Sequence, residues 1–169
     1  MISKKLLAYK TKTLAKKSKV ERGNMAYATA QKIGILFSID NLSKHESIKS
    51  LIKKLEADNK KVEVLAFLPK KKENHEFLFN FFTEKDINFW GSITSGDVLK
   101  FAAKPFDYLF YVDQQSQPIL RNILAMSKAK CRIGSFNKEN EPYCEMMIET
   151  KEGIDSLVEE MYRYTKILS

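Results

Sequence analysis

Cysteine is scarce in this chain of 169 residues. Only Cys131 and Cys144 occur, too few for a disulfide scaffold and in keeping with a reducing compartment. Glycine (6) and proline (4) are also sparse, which excludes collagen-like, low-complexity and largely disordered chains. No apolar run approaches the roughly 20 residues that span a bilayer, and Leu6-Leu7-Ala8 falls far short of a secretory signal core. What the chain does have is an ordinary supply of core, with 44% hydrophobic and 30% charged residues. That suffices for one domain with no need of a disulfide or a structural metal.

The net charge of +8 is unevenly placed. Residues 1–22 carry Lys4, Lys5, Lys10, Lys12, Lys16, Lys17, Lys19 and Arg22 against Glu21 alone, a net of +7. The rest holds 21 basic and 20 acidic residues, a net of +1. The sequence therefore divides into a basic N-terminal arm, residues 1–23, and a nearly neutral body, residues 24–169. A concentrated basic arm is built to meet phosphate, from nucleic acid or from anionic lipid. Its hydroxyls also resemble those of an organellar transit peptide, which prefers arginine to lysine. Read as a helix, the arm has an apolar stripe of Leu6, Leu7 and Leu14 broken by Lys10 and Lys17. That break disfavours a membrane-surface helix and favours a solvated helix or one ordered by its partner.

Beyond a linker at residues 24–31, apolar runs alternate with helical patterns. Strands are expected at Lys32–Ile39, Val62–Leu68, Ile87–Trp90, Asp107–Val112, Cys131–Phe136 and Tyr143–Glu149. Ser43 and Glu46 have the spacing of a capping box, opening a helix with Ile48, Leu51, Ile52 and Leu55 on one face. Further helices are expected over Glu73–Glu84, Asp97–Ala103, Pro118–Ser127 and Lys151–Leu168, Pro118 suiting a first helical turn. Strands apolar on both faces and alternating with helices describe a parallel sheet covered on both sides. The expectation is a single three-layer Rossmann-like α/β domain of about six strands. The short link before the sixth strand implies an antiparallel edge.

In such sheets ligands bind beyond the carboxyl ends of the strands, near the switch in strand order. Three polar loops qualify there, each leading into a helix N-terminus where free N–H groups can hold an anion. They supply Asp40 and Asn41; Ser92, Thr94 and Ser95; and Asp113, Gln114 and Ser116. The hydroxyl-rich loop GSITSGD is the phosphate candidate, although it matches neither dinucleotide nor Walker patterns and Ser95 or Thr94 serves equally as a helix cap. Asp40 and Asp113 suit either a ligand crevice or helix capping. His45 and His75 lack companions at metal spacing and read as surface histidines, and Cys131 and Cys144 as structural thiols. No cofactor or metal is implied. Eleven of the nineteen aromatics lie between Phe77 and Tyr111, mostly at core positions, with Phe89 and Trp90 the exceptions beside the candidate loop.

Two resemblances follow from particular segments. The lysine-rich start, KIGILF, FWGSITSGDVLKF and FDYLFYVDQQSQPILRNIL resemble a family of short, uncharacterised α/β proteins of Bacteroidetes-type bacteria, which implies no activity. Residues 106–136 are similar to the first half of the family 9 glycosyltransferases, the heptosyltransferase group, through Asp113, Gln114, Arg132, Ile133 and Gly134. The second Rossmann domain and the early Gly-Asp motif of that group have no counterpart here. The resemblance therefore implies the fold and argues against an active transferase.

Taken together, these readings point to a cytoplasmic, non-enzymatic binding protein whose basic arm contacts RNA or a ribonucleoprotein surface. The alternative is an enzyme or ligand-binding module for a phosphorylated or nucleotide-like small molecule, seated at the three loops. Peripheral membrane association through the arm is a third reading.

Overall fold

The computed structural model describes residues 2–72 and 79–169. Six strands form one sheet: β1 (Lys32–Ser38), β2 (Lys61–Phe67), β3 (Phe81–Phe82), β4 (Tyr108–Tyr111), β5 (Cys131–Ser135) and β6 (Met146–Ile148). Their order is β3-β2-β1-β4-β5-β6 and every pairing is parallel. The helices are α1 (Lys4–Lys17), α2 (Leu42–Ala57), α3 (Gly96–Ala103), α4 (Pro118–Met126) and α5 (Ile154–Lys166). This is the Rossmann-like α/β domain that the alternation of runs predicts.

Successive strand side chains point to opposite faces, so each strand feeds two cores. Ile33, Ile35, Phe37, Tyr108, Phe110 and Val112 pack with Ile48, Leu51 and Leu55 of α2 and Leu157, Val158 and Met161 of α5. Leu36, Leu65, Leu109 and Tyr111 face the other way, against α3 and α4. Helix α1 forms an additional layer outside α4.

Several elements differ from expectation. The third strand is Phe81–Phe82, and Ile87 makes only an isolated antiparallel bridge to Ile93. The expected helix over Glu73–Glu84 lies partly outside the described residues. Its final part is β3 followed by a short turn at Glu84–Asp86, capped by Thr83. The edge strand β6 is parallel to β5, not antiparallel. A 3-10 turn at Glu141–Tyr143, anchored by buried Asn140 and Tyr143, carries the chain back across the sheet without a helix. Asn140 Nδ2 donates to Ser135 O at 3.0 Å, holding that return against β5.

Residues 24–31 are packed rather than a free linker. Tyr27 and Ala30 are buried, and Lys60 Nζ donates to both of their carbonyls at 2.6 Å. Helix α2 is capped by Asn41, whose side chain accepts from Lys44 N at 2.9 Å, so Ser43 and Glu46 form no capping box. His45 is buried against Phe79, with ring centroids 4.9 Å apart, rather than lying on the surface. His75 lies outside the described residues.

Candidate functional site

The basic segment is a helix, and its inner face is docked. Ser3 caps it by accepting from Leu6 N, and Leu7 and Thr11 are buried against α4. Thr11 Oγ1 accepts from Asn122 Nδ2 at 2.9 Å and donates to Leu7 O at 2.8 Å, so a buried polar pair fixes the register of α1 on α4. The same helix also rests on the loop after β3. Ser3 N donates to Phe89 O at 3.3 Å, and Lys10 Nζ donates to Ser92 Oγ. Gly91 has φ of 77°, and a Cβ there would lie 2.9 Å from Leu7 Cα. The glycine opening GSITSGD thus serves close approach of α1. Ser95 caps α3, accepting from Val98 N at 3.4 Å, and Thr94 N donates to Asp86 O at 2.7 Å.

Docking sorts the basic residues of the arm. Arg22 is committed: its guanidinium donates to Ala129 O at 2.5 Å and Ser127 O at 2.7 Å. Burial and neighbouring Arg132 lower its pKa to about 10, which Glu145 opposes, so it stays charged at neutral pH. Lys10 is half-buried on Ser92. Lys4, Lys5, Lys12, Lys16, Lys17 and Lys19 remain exposed, and none forms an ion pair among the described residues. Lys5, Lys12 and Lys16 follow the spacing of one helix face, and Tyr9, 71% exposed, stands among them. At the other end Lys17, Lys19 and Lys128 border one shallow cleft. Sequence reasoning passed over Tyr9; its position four residues after Lys5 and three and seven before Lys12 and Lys16 puts it on their face of the helix.

At the switch in strand order, between β1 and β4, the structure brings two of the predicted loops together. Asp113 is buried and accepts from Ser38 N at 3.0 Å and from Lys44 Nζ, which also donates to Ser38 O at 2.7 Å. Burial pushes the Asp113 carboxyl above the usual carboxylate range, against the pull of Lys44 and of the Ser38 amide. The switch point, where this architecture commonly receives a ligand, thus carries a buried ion pair between Lys44 and Asp113. Asp40 is exposed and paired with Lys72 at 2.8 Å, which holds its carboxyl below the ordinary value. Gln114 Nε2 donates to Glu152 O at 3.3 Å. Ser116 donates to Asn140 Oδ1 at 2.6 Å and accepts from Arg121 at 2.7 Å. Asn41 is consumed as a cap, and no hydrogen bond among the described residues joins the Ser92–Ser95 loop to this group.

A cavity of about 720 Å³ opens elsewhere on the carboxyl edge of the sheet. The N-terminal turn of α1, the end of β2 at Phe67 and Pro69, the loop at Phe89 and the start of α4 at Gln117–Ile119 enclose it. Lys4, Lys70 and Glu84 also line it, the last two joined at 2.8 Å. Phe89 and Trp90 are both exposed, with ring centroids 5.4 Å apart.

Both thiols are pushed up to about 12 by burial, which suits structural roles. No cluster of three or more His, Cys, Asp or Glu among the described residues could hold a metal ion. No helix there is long and apolar enough to cross a membrane.

Fold and site define a Rossmann-like α/β protein bearing a docked basic helix beside an apolar cavity. The chain belongs to a family of unknown function (DUF6913), whose model matches residues 4–168, α1 included. No curated protein matches the chain.

Proposed function

We propose that this is a non-enzymatic binding protein, acting in the cytoplasm, that meets RNA or a ribonucleoprotein surface through the outer face of α1. The observation that carries the reading is the set of six exposed lysines on and just beyond one rigidly docked helix. A helix already ordered by α4 presents its cations without the entropy cost that a disordered arm meets on binding. Tyr9 within the lysine row, with Phe89 and Trp90 near the N-terminal end of α1, adds stacking surface of the kind that single-stranded RNA uses.

The same docking favours RNA over a bilayer. A membrane-surface helix needs a free apolar face, and Leu7 and Leu14 of α1 already pack on the body. The likeness to family 9 glycosyltransferases we take as bearing on the β4-α4-β5 build alone. Asp40 and Asp113, the carboxylates available for acid–base chemistry, are each held by a lysine, which supports binding over catalysis at the switch point.

The test is titration of single-stranded RNA onto the full chain and onto a chain with Lys5, Lys12, Lys16 and Lys19 each replaced by Gln. These side chains are exposed, so the fold is retained. RNA binding that weakens sharply in the variant supports the reading; equal binding by both chains overturns it. Tyr9→Ala should weaken binding by about 1–3 kcal/mol if a base stacks there.

A further inference from the structure

We propose that the cavity at the N-terminal end of α1 holds one nucleotide unit, with the base inside and the phosphate at the mouth. The inference rests on the RNA reading in one respect: the bound unit would belong to the strand lying along α1.

Size, walls, polar groups and position all bear on this. About 720 Å³ falls within the range of small-molecule sites. The walls include Phe67, Pro69, Phe89 and Pro118, flat aromatic and prolyl faces that suit the π surface of a base. Gln117 lines the cavity, and its side chain neither caps α4 nor makes any other hydrogen bond among the described residues. A free primary amide offers two donors and an acceptor, the complement of a base edge. Lys4 and Lys70 stand in the lining with a single carboxylate, Glu84, leaving net positive charge for a phosphate. The cavity also lies past the carboxyl ends of β2 and β4, where open α/β sheets take their ligands. Lys4 is part of the lining and directly precedes Lys5, where the exposed lysine row on α1 begins, so a strand following that row ends beside the cavity. An amphipathic carboxylate would use the same walls and lysines but has no need of the Gln117 amide.

Trp90 is the sole tryptophan and stands in ring contact with Phe89, so its fluorescence reports on the cavity. The full chain is titrated with adenosine and uridine monophosphates. The expected result is saturable binding that Ile119→Phe, which fills the cavity, weakens by about tenfold or more. Phe89→Ala, at an exposed position that the fold tolerates, should weaken it several-fold. Gln117→Leu should narrow the difference between the two bases. The lysine-to-glutamine chain described above should bind the monophosphates as wild type does, since Lys4 is unchanged. The inference is overturned if RNA binds but neither monophosphate does. It also fails if both Ile119→Phe and Phe89→Ala bind as tightly as wild type, or if decanoate binds where the monophosphates do not. Monophosphate binding without RNA binding would leave the cavity assignment standing and remove the RNA reading.

Discussion

Replacing Gly91 by Ala should release α1. The residue sits at φ of 77°, and its added Cβ would lie 2.9 Å from Leu7 Cα and 3.2 Å from Leu7 N. Those are backbone atoms, so no rotamer change relieves the contact; either the 88–92 loop shifts or the helix lifts. Holding alanine in the left-handed region costs about 1–2 kcal/mol. Overpacking against an unyielding neighbour adds about 1–3 kcal/mol, for a total near 2–5 kcal/mol. That is a large share of the roughly 5–15 kcal/mol that holds a domain together. Urea denaturation should show a midpoint lower by about 1–2.5 M for a slope near 2 kcal/mol/M. Trypsin should cut faster at the lysines of α1. Gly96→Ala is the control, because nothing lies within 4 Å of a Cβ there and its φ is not positive. A Gly91→Ala protein as stable as the Gly96→Ala control would refute the docking argument.

Other outcomes follow from the buried polar pairs and the titrating groups. Thr11→Val leaves the Asn122 amide in the interface without its partner and should cost about 1–3 kcal/mol, while adding Asn122→Leu should recover most of it. A double-mutant cycle by denaturation measures that coupling. Lys44→Met strands buried Asp113 and should cost about 3–5 kcal/mol, with Asp113→Leu as the compensating change. Asp58 is held below its ordinary value of 3.8 by the hydroxyls of Tyr162 and Tyr27. A lowered folded-state value means its contribution is complete above about pH 4 and is lost as pH falls through the folded value. Stability against pH for Asp58→Asn should therefore lack that part of the acid limb. Native thiols, with values pushed up to about 12, should alkylate far more slowly at pH 8 than in denaturant.

Long periodic segments were readable from sequence; short and composite ones were not. β1, β2, β4, β5 and α2 to α5 follow from apolar runs and helical spacing. β3 escaped because two residues carry no period, and Phe81 and Phe82 with the preceding aromatics imitate a helical face. The parallel β6 escaped because a 3-10 turn around Pro142 does the work normally given to a helix. Asn41 and Ser43 are both good caps, and only the three-dimensional start of α2 decides between them. Docking of α1 was hidden because its inner face includes Thr11, which is buried only through its pairing with Asn122, a residue 111 positions away. The candidate loops lie at the carboxyl ends of the strands, as expected. Sequence spacing, however, does not reveal that Lys44 pairs with buried Asp113 or that Arg22 turns inward.

The most direct measurement for the central claim is single-stranded RNA affinity against salt, for the full chain and for the chain with Lys5, Lys12, Lys16 and Lys19 replaced by Gln. Removing residues 1–23 would also strip α4 of its cover, so charge replacement is the cleaner perturbation. Each lost phosphate contact lowers the slope of log affinity on log salt by about 0.7, so four contacts should lower it by about 3. A full chain with a steep slope and a variant with a shallow one is the predicted result. Identical slopes, or no salt-dependent binding by the full chain, would contradict the account.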